Sequence, residues 1–102
     1  MDELDELDEP LSNEEAVKLA LKVVLDGEIT YSIPHALDEM KKDGMEDGDV
    51  RNVLRAGRMT MPAELRKGTW RYRMETRNFT VVFAFRSNSE IRVVTAWRFM
   101  KR

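Results

Sequence analysis

An α+β fold, with two to three helices followed by a three- to four-stranded antiparallel sheet, is predicted by three observations. Apolar residues recur at helical spacing up to Gly57 and alternate with period two after it. Start and stop residues bracket each helical stretch, and short polar turns bracket each alternating one. The charge divides at nearly the same place. Residues 1–50 hold four Lys, no Arg and sixteen acids, a balance of −12, whereas residues 51–102 hold eleven Arg, two Lys and three acids, a balance of +10.

The first nine residues carry six acids and no base, and Pro10 closes the run. Self-repulsion and the lack of core residues predict an acidic disordered tail over 1–12, and a single domain over 13–102. Ser12 and Glu15 then form a capping-box pair, Val17, Ala20, Leu21 and Val24 make one stripe, and Gly27 is a stop signal, so a helix is predicted over 13–26. Residues 28–31 read as an extended link. Ser32 is the next cap, with Pro34 in the first turn and Ile33, Leu37 and Met40 as the buried stripe. This helix should end near Gly44. The segment 46–49 caps a third helix with Val50, Val53 and Leu54 inward and Gly57 as its stop.

Beyond Gly57, residues 58–61 offer a short edge strand. Residues 69–76 place Trp70, Tyr72 and Met74 on one face and Arg71, Arg73 and Glu75 on the other. Residues 79–86 set Phe79, Val81, Phe83 and Phe85 against Thr80, Val82, Ala84 and Arg86. Residues 90–99 set Ile91, Val93, Thr95, Trp97 and Phe99 against Arg92, Val94, Ala96 and Arg98. The helices are expected to cover the aromatic face. The open face would then carry Arg71, Arg73, Arg86, Arg92 and Arg98 around small residues, where a polyanion can lie. The other reading of the charge split is that the two halves neutralise each other within one fold.

The absence of Cys removes disulfides, Cys-based zinc sites, iron–sulfur clusters and thiol nucleophiles. With His35 as the only histidine and no phosphate loop or Gly-x-Gly-x-x-Gly run, neither a metal nor a cofactor is expected. The acidic run from Asp43 to Asp49 lacks the order of a calcium loop and reads as a solvated helix cap. No stretch is long enough to span a membrane and no secretory leader is evident, so a cytoplasmic location is expected.

What remains is acid–base and electrostatic catalysis by His35, Tyr31, Tyr72 and arginines. RNA is a substrate that needs only these: a base for the 2′-hydroxyl, fixed cations for the phosphorane, and an acid for the leaving oxygen. Alternatively, His35 is a partly buried structural residue hydrogen-bonded to backbone.

The run Tyr31-Ser-Ile-Pro-His-Ala-Leu-Asp-Glu-Met40, with Asp49-Val-Arg-Asn-Val-Leu-Arg-Ala-Gly57, resembles the bacterial domain of unknown function 4258. So do Thr69-Trp-Arg-Tyr-Arg-Met-Glu-Thr76, Thr80-Val-Val-Phe-Ala-Phe85 and the closing Val93-Val-Thr-Ala-Trp-Arg98. The likeness runs over about residues 14–99, and that family is similar to RelE- and BrnT-like toxins and to the wider barnase, EndoU and colicin nuclease group. The resemblance implies RNA on the open face of a small antiparallel sheet, with His35, the strand arginines and Thr95 with Arg98 at the active site. The reading is therefore a metal-independent endoribonuclease of a toxin–antitoxin type. His35, Arg71, Arg73, Thr95 and Arg98 are its catalytic candidates, and Arg77, Arg86 and Arg92 its RNA-binding candidates; Tyr72 and Trp97 alternate onto the apolar face and are assigned to the core, with base stacking as the lesser reading. Its partners would be RNA, free or on the ribosome, and an antitoxin protein, with residues 1–9 as a blocking segment in cis. The alternative is a non-catalytic module of the same fold that binds nucleic acid or protein.

Overall fold

The computed structural model describes residues 7–99, so residues 1–6 of the acidic tail lie outside the described residues. The chain is α+β, with three helices and a five-stranded mixed sheet. Helix α1 spans Asn13–Asp26, strand β1 Glu28–Tyr31, helix α2 His35–Lys42 and helix α3 Asp47–Ala56. Strands β2, β3, β4 and β5 then span Glu64–Arg66, Thr69–Glu75, Phe79–Ser87 and Glu90–Arg98.

The capping signals act much as their chemistry requires. Ser12 and Glu15 close the capping box of α1, Glu46 and Asp49 form another at α3, and the Gly27 and Gly57 N–H groups bond back to Val23 and Val53 carbonyls. At α2 the structure differs from the expectation. Ser32 does not cap it, and its hydroxyl instead donates to the Val94 carbonyl at 3.0 Å.

The sheet order is β1-β5-β4-β3-β2. Residues 28–31, expected as a link, form an edge strand parallel to β5, with Ile29 opposite Ile91 and Tyr31 opposite Val93. The sheet is therefore mixed rather than antiparallel, and it has five strands rather than three or four. Residues 58–61 contribute only an isolated bridge from Arg58 to Glu75, and the edge strand is β2. It is folded back on β3 by Lys67 and Gly68, both at positive φ (53° and 79°), as a two-residue hairpin turn requires.

One face of the sheet is buried. Tyr72, Met74, Val81, Phe83, Ile91 and Val93 pack with Ala16, Ala20 and Val23 of α1 and Val50, Val53 and Leu54 of α3. Tyr72, Phe83 and Phe85 form an aromatic knot, with ring centroids 5.1 to 5.8 Å apart. The Tyr72 hydroxyl donates to Glu9 at 2.8 Å and accepts from the Leu11 N–H at 3.1 Å. Leu7 and Leu11 also lie against the core, so the end of the acidic segment is held to the fold. Helix α2 packs against β5 and adds to the same buried core as α1 and α3. Its buried residues are Ala36 and Met40, while Ile33 and Leu37 of the predicted stripe are exposed.

Candidate functional site

The β4–β5 ladder contains the feature that sets the site. Val82 pairs with Thr95 and Phe83 pairs with Val93, so Val94 is an extra residue on β5. A one-residue bulge reverses the alternation beyond it. From Thr95 onward, Thr95 and Trp97 share the open face with Val82 and Thr80, whereas Ala96 and Arg98 turn to the face that carries Val81 and Phe79. Strict alternation had placed Thr95 and Trp97 inward and Arg98 on the open face, and the bulge overturns all three.

Arg98 is consequently not a member of the open face. Its Nε donates to the Asp43 carbonyl at 3.1 Å, and its backbone N–H donates to the Asp43 carboxylate at 2.9 Å. Its guanidinium lies 4.8 Å from the centre of the Phe79 ring. A cation on the last carbonyls of a helix stabilises its C-terminus, and Arg98 does this for α2.

On the open face, a groove of about 660 Å³ is lined by His35, Arg71, Arg73, Thr95 and Trp97, with Ser32, Val82 and Val94 beside them and residues 61–64 and Arg66 along one wall. Four of the five catalytic candidates from the sequence thus meet in one cleft. Each is delivered by a local cause. Arg71 and Arg73 alternate outward on β3, and the Lys67–Gly68 turn brings Glu64 opposite Arg71. The Ser32 bond to the bulge carbonyl ties the segment leading into α2 to β5, and His35 lines the same groove as Thr95. His35 is exposed and has no hydrogen bond among the described residues, so the reading of a partly buried, backbone-bonded histidine does not apply.

Two guanidinium nitrogens beside the groove are left unpaired: the Nε atoms of Arg71 and Arg73 are buried and have no hydrogen-bond acceptor among the described residues. The nearest carboxylate to Arg73 Nε is that of Glu75, at 3.6 Å, and the Arg73 guanidinium lies 5.6 Å from the centre of the Trp97 ring. Guanidinium groups lining a cleft favour an anionic guest with paired oxygens.

The three RNA-binding candidates lie outside this groove. Arg92 pairs with Ala84 across the sheet and donates to the Thr30 hydroxyl at 2.9 Å. Arg86 falls in a second irregularity, between Phe85 and Ser87, and is exposed. Arg77, in the β3–β4 turn, lines a separate hollow with Ala56 and Arg58. Alternation assigned Trp97 to the core, with base stacking as its lesser reading, and sequence reasoning missed Ser32, Arg66 and the wall at 61–64 as site residues. A signal existed for the wall, since Lys67-Gly68 between two short β-prone runs is a hairpin turn.

The two tyrosines considered for acid–base work are engaged elsewhere. The Tyr31 hydroxyl donates to Asp47, which also accepts from Arg51 Nε at 2.7 Å. Burial, reinforced by the Asp47 carboxylate, pushes the Tyr31 hydroxyl well above the usual phenol range. Burial also acts to raise Asp47, but the hydrogen bonds from Tyr31 and Arg51 outweigh it and hold the carboxyl below its ordinary value. Tyr72 is likewise raised, by burial first and by Glu9 in addition. Among the described residues no three His, Cys, Asp or Glu side chains gather to hold a metal, and no helix is long and apolar enough to cross a membrane.

No curated protein and no solved structure matches this chain. A family model does, that of a domain of unknown function, DUF4258, over residues 33–98. The match begins two residues before His35 and runs to Arg98, taking in the first turn of α2, the hairpin wall, the arginines of β3 and the bulge of β5. With this groove and well over half its length inside the match, the chain belongs to the DUF4258 family.

Proposed function

We propose that the chain is a metal-independent endoribonuclease of toxin type, cutting RNA by attack of a ribose 2′-hydroxyl on the adjacent phosphate. One observation carries this reading. His35, Thr95, Arg71 and Arg73 line a single open groove, and the buried Nε atoms of both arginines have no hydrogen-bond acceptor among the described residues. The scissile phosphate lies against the guanidinium groups of Arg71 and Arg73, which neutralise the charge that grows on it. His35 takes the proton of the 2′-hydroxyl as the new P–O bond forms, and returns it to the 5′-oxygen as the old P–O bond breaks. The products are a 2′,3′-cyclic phosphate and a free 5′-hydroxyl. Thr95 orients the phosphate through its hydroxyl, and Arg98 takes no part. The resemblance of the DUF4258 family to RelE- and BrnT-like toxins supports the same reading. A toxin of this class is held inactive by an antitoxin, and an acidic segment laid along the groove would meet the same arginines.

The test is RNA cleavage in EDTA, with the ends of the products identified. Cleavage to cyclic phosphate ends is expected, falling at least about 100-fold in His35→Ala. Cleavage that is absent, or unchanged in His35→Ala, overturns the catalytic assignment. A second reading, a non-catalytic binding module, is favoured by the lack of any hydrogen bond orienting the His35 ring among the described residues. It predicts RNA affinity that depends on Arg71 without strand scission.

A further inference from the structure

We infer that Trp97 is a stacking platform for one unpaired base, so that the substrate class of the groove is single-stranded RNA; this rests on the ribonuclease reading above. The Val94 bulge is what turns the indole from the buried face to the open one. There the ring is only partly buried and lines the groove beside Thr95. The Arg73 guanidinium lies 5.6 Å from its centre, and its cross-strand neighbour Thr80 is fully buried. A large aromatic side chain on the same surface as the Arg71 and Arg73 guanidinium groups combines the two elements by which proteins hold single strands: cations for the backbone and a π-surface for a base. A base inside a duplex has both faces covered by its neighbours and cannot use such a platform. With Arg71 and Arg73 on the phosphate, Trp97 receives a neighbouring base and excludes duplex RNA.

The test uses the full chain and a short 2′-O-methyl RNA, which lacks the attacking hydroxyl, either single-stranded or annealed to its complement. The single strand is expected to bind roughly tenfold or more tightly than the duplex and to quench tryptophan emission. Trp97→Leu should weaken single-strand binding about tenfold, while Trp97→Phe, which keeps an aromatic face, should retain most of it and abolish the quenching. Trp70 lies partly buried against the core and should not respond. An abasic nucleotide moved along the strand should reproduce the loss at one position in the unsubstituted protein, which keeps the test independent of variant folding. Equal affinity for single strand and duplex, or wild-type single-strand affinity in a folded Trp97→Leu, overturns the stacking inference while leaving the groove reading intact. Binding that is unaffected by Arg71→Ala overturns the groove reading itself.

Discussion

Thr95 stands opposite Val82, while the next β4 residue, Phe83, stands opposite Val93, so β5 carries one more residue than its partner at this point. The extra residue, Val94, gives its carbonyl to the Ser32 hydroxyl. A single inserted residue therefore does two things. It exchanges which side chains of the last strand face the open surface, and it provides the anchor for the turn that leads into α2 and His35. Bulges commonly re-aim side chains beside functional surfaces, and here the re-aimed pair is Thr95 and Trp97.

The exchange makes a first prediction about Arg98. Its guanidinium caps α2 through the Asp43 carbonyl and lies over Phe79, away from the groove. Arg98→Ala should lower unfolding free energy by about 1–3 kcal/mol, as expected for a lost charge-assisted hydrogen bond. RNA affinity, measured on the folded variant, should be unchanged. A loss of affinity at unchanged stability would return Arg98 to the site.

How much of this was legible in the sequence follows from the range of each interaction. The helix over 13–26 and the start of α3 are set by hydrogen bonds spanning three residues, as between Ser12 and Glu15, and the sequence displays both partners. The period-two pattern likewise identifies β3 and β4. The pairing of β1 with β5 joins Glu28 to Glu90, and nothing local marks Glu28–Tyr31 as an edge strand rather than a link. The bulge is invisible for a similar reason. Both registers of β5 offer a mixture of apolar and polar residues on each face, so alternation alone gives no signal that Val94 is extra. His35, Arg71, Arg73 and Thr95 were found as candidates, Thr95 on the wrong face by alternation, and the error in Arg98 has the same origin.

Arg71 and Arg73 should each contribute separately to RNA binding. Removing one phosphate contact from a single strand reduces the slope of log affinity against log salt by roughly 0.7. Arg71→Ala is expected to show that change together with a loss of about 1–3 kcal/mol in binding. Arg71→Lys should restore the slope but not the full affinity, because ammonium lacks the paired donors of guanidinium. Titrations at several salt concentrations provide the measurement. An unchanged slope would remove Arg71 from phosphate contact.

Glu75 competes for Arg73. Its carboxylate lies 3.6 Å from Arg73 Nε, and the pair is only partly shielded, with Arg73 40% exposed. Such a pair is worth no more than about 1 kcal/mol, so Glu75→Gln should raise RNA affinity by about two- to fivefold. The same substitution should leave affinity untouched in an Arg73→Ala background, and this double-mutant comparison isolates the pair. An equal gain in both backgrounds would mean that Glu75 acts through the general field rather than through Arg73.

The clamp of Tyr31, Asp47 and Arg51 links the end of β1 to the first turn of α3, behind the groove. Asp47 is held below its ordinary value of 3.8, so its contribution to stability is present above that value and is lost as pH falls through the lower folded one. Tyr31 is shifted the other way. Raised above its ordinary 10.0, it favours the folded state below that value and loses its contribution as pH rises through the folded one. The clamp is thus intact across the neutral range and weakens at both extremes. Urea unfolding of wild type and Asp47→Asn should differ at pH 7 by less than about 1 kcal/mol, since the Asp47 and Arg51 side chains are about half exposed and screened. That difference should shrink at pH values below 3.8, where the wild-type carboxyl also takes up its proton. A difference of the same size at both pH values would show that Asp47 stabilises α3 through its position alone and not through its charge.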